Sequence, residues 1–202
     1  MNGTFFYIGL GLGLAAACGL RPYLPTLLAG ALGSAAALGV GFGPSTGHYH
    51  FLQAGWWLLA VTIVLAGAHL LQLRLGSERF DSVASGGIAA QSIAVGALLF
   101  AGTLAAHGDP SWPGLLGGAA AAALAWAATH PVILRARARL PDRGAREALT
   151  VYLDAASLVL AALVALLHPL GYVAVALLAW FMWRGRARAT DDRYAGLRIL
   201  RR

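Results

Sequence analysis

Charge is what this chain of 202 residues is short of: 11% of its side chains are charged, where a soluble domain carries roughly 25%. That scarcity leaves no room for a separate water-soluble domain. Lysine is absent, and all 15 cations are Arg. Alongside abundant Ala, Gly and Leu, this looks like coding bias and carries no chemistry of its own. A single cysteine, Cys18, excludes an intrachain disulfide. Set in an apolar stretch, it reads as a small packing residue. The sequence has no His-Glu-x-x-His pair, no Walker-type phosphate loop and no paired-Cys site. No enzyme and no cofactor are expected. Residues 1–6 lack a basic side chain, so a cleaved signal peptide is not expected.

What is present is apolar length. Hydrophobic residues make up 59% of the chain, and the mean hydropathy is +0.69. A membrane span needs about 20 apolar residues. The segments that qualify are Thr4–Leu20, Thr26–Gly43, Gly55–Leu73, Gly87–His107, Pro113–Leu134 and Ala148–Leu167. A last one, Tyr172–Trp183, is short: a tilted or thinned crossing and the returning half of a hairpin both fit it. In lipid the backbone must bond within its own segment, so all are helices. The fold class is all-α: a polytopic transmembrane helical bundle of six to seven spans. Residues 1–183 form one transmembrane domain and 184–202 a basic tail, whose end from Thr190 has the pattern of a short interfacial helix. Trp56, Trp57, Trp112, Trp180 and Trp183 stand at span ends, as aromatic belts do. Pro131, inside the fifth span, should kink it or free a carbonyl.

The arginines fix sidedness. They fall at every second break between spans: Arg21; Arg74 and Arg79; Arg135 to Arg146; and the tail from Arg184. The breaks Pro44–Ala54, Gly108–Trp112 and His168–Gly171 carry none. Short Arg-rich loops stay in the cytoplasm, which predicts a cytoplasmic (inner) membrane protein with its N-terminus outside and its C-terminus inside. The net charge of +7 therefore belongs to membrane-flanking loops, not to a nucleic-acid surface. Anionic headgroups are the expected partners of Arg135, Arg137, Arg139, Arg184, Arg186 and Arg188. Glycine stripes (Gly9, Gly11, Gly13 and Gly19; Gly30, Gly33, Gly39 and Gly41; Gly114, Gly117 and Gly118) predict close helix packing. Pro25-Thr-Leu-Leu-Ala-Gly-Ala echoes Pro113-Gly-Leu-Leu-Gly-Gly-Ala, and an odd-numbered unit repeated in tandem must be inverted.

With that orientation, five helices place polar groups at similar depth in the cytoplasmic half: Arg21; His69 and Gln72; Gln91 and Ser92; Thr129 and His130; and Asp154. Asp154 lies about 9 Å inside the boundary at 1.5 Å per residue. A lone carboxylate there is costly, so it needs a partner, with Arg21 preferred and His130 second. Two readings stand for this group: a structural ion pair, or a ligand or proton site. Pro22 and Pro25 interrupt the helices beside Arg21, and the freed amides there form a corner suited to an anion. On the outer side, His48, His50, His107, Asp109 and His168 are weak candidates for a metal. Ordinary interfacial histidines explain them as well.

The run from Gly11 to Leu28, Gly-Leu-Gly-Leu-Ala-Ala-Ala-Cys-Gly-Leu-Arg-Pro-Tyr-Leu-Pro-Thr-Leu-Leu, resembles the N-terminus of a family of small bacterial membrane proteins of unknown function with relatives in plants. Asp81-Ser82, Asp154 and His168-Pro169 are similar too. The resemblance implies a Glu and an Asp-Lys pair near the end of the third span, where His69, Gln72 and Arg74 stand. It also implies an acidic pair where Leu153-Asp154 stands. It implies the helix plan and no activity.

These readings lead to a small permease-like transporter with a cytoplasm-facing site of Arg21, Asp154, His130, His69 and Gln91 for an anionic or headgroup-bearing solute. The alternative is a non-catalytic scaffold subunit of a larger membrane complex; a homo-oligomer is a further possible assembly. Accessibility labelling should put the connections around Arg74 and Arg139 on the same, cytoplasmic face. Labelling of the two from opposite faces would dissolve the proposed cluster.

Overall fold

The computed structural model describes residues 3–75, 77–140 and 142–199, with side chains described except at 72, 73, 75, 77–85, 143 and 187–199. Gln72, Arg79, Asp81 and Arg188 thus lie outside the described side chains. The elements are α1 (Thr4–Leu20), α2 (Tyr23–Ser34), a 3-10 turn (His50–Gln53), α3 (Gly55–Leu75), α4 (Ser77–Ala106), α5 (Trp112–Arg139), α6 (Arg143–Leu166) and α7 (Leu170–Ile199). The bundle is all-α, as expected. Gly86–Ala106, Trp112–Arg139 and Gly144–Leu166 are long and apolar enough to cross a membrane, and Thr4–Leu20 and Gly55–Leu71 are shorter apolar helices. Large apolar side chains point outward: Leu59, Ile63 and Leu116 are each more than 60% exposed. Water would not tolerate so much apolar surface on a monomer, whereas lipid covers it at no cost. Trp56, Trp112 and Trp183 project likewise.

α1 stands at the centre, packed against α4, α5, α6 and α7. It has no polar face, and a helix that is apolar all round belongs in a core. Leu10, Leu14, Ala17 and Cys18 are fully buried. Its glycines set the spacing. A Cβ on Gly171 of α7 would lie 2.8 Å from Gly9 C and 2.9 Å from Gly13 N, so these two backbones touch. At the α4–α5 contact, a Cβ on Gly118 would lie 2.8 Å from Ala97 Cα.

Two expected boundaries need correction. The apolar run Thr26–Gly43 is not one helix. α2 has 12 residues and closes in a Schellman motif, with Ala37 N–H donating to Leu32 O at 2.9 Å and Ala36 N–H to Gly33 O at 3.2 Å. Ala36 (φ 49°), Leu38 (φ 55°) and Gly39 (φ 71°) then take left-handed conformations. Hydropathy cannot see this break, because the segment stays apolar after the helix ends. Val40 and Phe42 continue into the core without helical structure. Exposure along this stretch is divided: Ala35, Ala36, Leu38 and Gly39 are exposed while Val40 and Phe42 are buried, and His168 Nε2 lies 3.1 Å from Leu38 O. Gly39 and Gly41 are therefore loop residues, not part of a packing stripe. The second correction concerns α7, which runs 30 residues without a break. The basic tail continues this helix through Ile199 and is not a separate interfacial one. The motifs at Pro25 and Pro113 do open helices that run in opposite directions. Beyond the first turns the likeness ends, since α2 has 12 residues and α5 has 28.

The bundle has two chemically distinct ends. At one, Tyr7 OH donates to Asp109 at 2.7 Å, Tyr7 stacks on His107 at 4.0 Å, and Tyr172 OH donates to Phe5 O at 2.9 Å. At the other stand Arg21, Asp154 and the ends of α5 and α7. Gly171→Val should cost about 1–3 kcal/mol or more through overpacking at the α1–α7 contact, read as lowered thermal stability in mild detergent. Gly55→Val, where a Cβ meets open space, should leave packing intact.

Candidate functional site

The arginine-bearing end takes its geometry from the turn between α1 and α2. α1 stops at Leu20, Arg21 is extended (φ −153°, ψ 125°), and its N–H caps Ala17 O at 3.2 Å. Pro22 turns the chain, and α2 begins one residue later with no side-chain cap on its first amides. Thr26 Oγ1 donates back to Pro22 O, which locks the elbow. Because α1 is central, its end carries Arg21 inward.

Arg21 Nε lies 3.4 Å from Asp154 Oδ1, and the two side chains are 14% and 26% exposed. Asp154 thus finds the preferred partner and not His130. Arg21 stands between two small cavities. One, of about 20 Å³, is lined by Arg21, Tyr23, His69, Ile88, Thr150 and Asp154. The other, of about 30 Å³, lies toward Trp126, Thr129, His130 and Arg137. A water needs about 10–15 Å³ of such space, so each cavity admits water and no larger solute. His130 stacks on Trp126 at 4.6 Å. Tyr23 OH donates to Gln91 Oε1 at 3.2 Å. Ser92 is fully buried, and among the described residues its hydroxyl meets no acceptor.

Arg21, Asp154 and His69 therefore share one cavity; His130 joins Arg21 in the second; Gln91 touches the group through Tyr23. Arg137 departs from its expected role at headgroups. It is 9% exposed, and its Nη2 donates to Thr150 Oγ1 at 2.9 Å, tying α5 to α6. Periodicity points the wrong way here. Arg137 is nine positions after the buried Ala128, about half a turn out of phase; α6 folds back over that side. Thr150 was within reach of the sequence, since it lies four residues before Asp154 on the same helix face. Tyr23 sits in the quoted break motif.

Of the histidines expected on the outer side, His107 and His168 line one cavity of about 370 Å³, and His48 and His50 do not join them. His107 Nδ1 lies 2.8 Å from Thr103 O, His168 faces Leu38 O, and His48 and His50 lie on the loop before α3. Among the described residues no group of three or more His, Cys, Asp or Glu could hold a metal. Gly43-Pro-Ser-Thr-Gly47 matches the Gly-x-Ser-x-Gly spacing. That motif requires a strand-to-helix elbow, and here Ser45 is exposed in a loop with neither.

A membrane helical bundle with an ion pair at its helix elbow is the class that fold and site define. The chain belongs to the family described as a domain of unknown function (DUF4126), whose model matches residues 8–188. No curated protein and no solved structure matches it.

The ion pair lies between the surface limit of about 0–1 kcal/mol and the buried limit of about 3–5 kcal/mol for loss of one partner. Arg21→Gln and Asp154→Asn should each cost about 1–3 kcal/mol. The double variant should cost less than their sum by about 1–2 kcal/mol, in a double-mutant cycle read by unfolding in detergent. Strict additivity would show that the two side chains do not interact.

Proposed function

We propose that this protein is a small permease-like transporter of the cytoplasmic membrane, N-terminus outside and C-terminus inside, with an anion site at its cytoplasmic end. The observation that carries the reading is the Arg21–Asp154 pair at the elbow between a buried helix and a half-length one. Helices broken beside a polar site are a transporter plan, because half-helix ends and freed amides can meet a solute. Arg21 supplies the charge that attracts an anionic group. Asp154 is its internal competitor, displaced when the solute arrives and then able to carry a proton.

The cavities beside Arg21 have room for water and no larger solute, so on this reading the conformation is a closed one. Entry requires helices to part. α3 is the helix least held: it packs chiefly on α2, α4 and the 3-10 turn and makes no extensive contact with α1, and among its described residues only Val61 is buried. That same exposed helix supports a second reading, the scaffold subunit, in which α3 packs on a foreign chain. Stoichiometric co-purification of another membrane subunit in mild detergent would favour it.

The anion reading is tested by thermal stability in detergent with inorganic phosphate, sulfate and acetate. Wild type should be stabilised by at least one. Asp154→Asn should bind that anion about tenfold more tightly, since its competitor is gone, and Arg21→Gln should lose the effect. If wild type responds to none and Asp154→Asn fails to assemble, the pair is structural.

A further inference from the structure

A second site lies apart from the elbow, where the end of α5 meets α7. Here a half-open groove of about 420 Å³ is lined by Val132, Arg135, Arg139, Trp180, Phe181 and Arg184, among others. Small-molecule pockets span roughly 300–1,000 Å³, so this groove has the room that the cavities beside Arg21 lack. Its chemistry is divided. Val132, Trp180 and Phe181 form an apolar wall, and three guanidiniums stand over it. Arg135 and Arg139 are one helical turn apart, so they share a face of α5. Arg135 uses its Nε–H on Pro131 O at 3.1 Å, one of five donors. The Arg184 guanidinium lies 5.2 Å from the Trp180 ring centre, which fixes it by cation–π attraction. Among the described residues, no acidic side chain forms an ion pair with Arg135, Arg139 or Arg184.

We propose that this groove is a specific binding site for an anionic phospholipid. Its phosphate is held by Arg135, Arg139 and Arg184, and its first acyl methylenes lie along Val132, Trp180 and Phe181. A free phosphate would be served by the arginines alone and would leave the apolar wall idle. A lipid uses both, and planar guanidiniums suit phosphate oxygens in pairs. The site also separates the arginines that flank the membrane into two kinds. Arg137, between two groove residues in sequence, faces inward to Thr150 and takes no part. Arg74, exposed at the end of α3, contributes only general surface charge.

Native mass spectrometry tests this on the full chain in mild detergent, with phosphatidylglycerol titrated against excess phosphatidylcholine. One phosphatidylglycerol should be retained per chain. Arg135→Gln, Arg139→Gln and Arg184→Gln should each weaken retention about fivefold, and Trp180→Ala should weaken it while leaving the charges in place. Arg74→Gln should change nothing. Circular dichroism checks that each variant is folded, and four separate single variants keep the test open if one is not. Equal retention of the two lipids overturns the proposal. So does an Arg74→Gln effect as large as that of the groove variants, which means charge without a site. Displacement by inorganic phosphate at the concentration that competes as the lipid does shows an anion site with no lipid requirement, and overturns it too.

Discussion

Enclosure of α1 is the constraint on which the rest depends. A helix with no polar face is stable only where apolar atoms surround it, and α4, α5, α6 and α7 do so here. They approach closely because glycines replace side chains at the contacts. Whatever ends such a helix is carried to the interior with it. Arg21 ends α1, so its charge arrives where water is scarce and must be answered from a neighbouring helix. Asp154 answers it from α6. The ion pair is thus a consequence of packing before it is anything else, and a solute site built there inherits a cation already held in place.

The elbow adds a second consequence. A span that stopped at Leu20 and resumed as a full helix would seal its backbone completely. α2 instead closes after 12 residues, and the chain continues as irregular backbone beside Phe42 and Leu52, both fully buried. Val40 and Phe42 are shielded by the bundle, while Ala36, Leu38 and Gly39 are exposed, a placement that suits a membrane boundary and not the hydrocarbon. The two left-handed residues without a glycine's freedom, Ala36 and Leu38, store strain of the order of 1–2 kcal/mol each. That strain lies away from Arg21 and Asp154, at the end that holds His168, and it marks α2 as the element whose geometry was set by fit and not by propensity.

Much of this was legible in the sequence. Scarce charge and long apolar runs define the helices, because lipid punishes every exception. The arginine rhythm marks one end of the bundle: Arg21, Arg74 and Arg139 stand at or just past helix ends, and Arg184 lies within α7 beside the end of α5. The Arg21–Asp154 partnership followed from the cost of a lone carboxylate. What was hidden has a common cause: hydropathy reports burial and not backbone conformation. It could not end α2 at Ser34, since Val40 and Phe42 are as apolar as any helix residue. Nor could it extend α7 through its basic tail, since arginine is a good helix former that reads as loop on a hydropathy scale. It also could not choose among Arg135, Arg137 and Arg139, because which of them turns inward depends on where α6 returns.

The unbroken course of α7 has mechanical meaning. Its fulcrum is Gly171, pressed on the backbone of Gly9 and Gly13. Arg184 sits about 20 Å further along the same rod at 1.5 Å per residue. A tilt of about 10° at the fulcrum would sweep that guanidinium by some 3–4 Å, a displacement fixed by the same rise per residue. Packing against neighbouring helices and interfacial anchors set helix tilt, so the α1–α7 contact also governs the spacing between α7 and the end of α5.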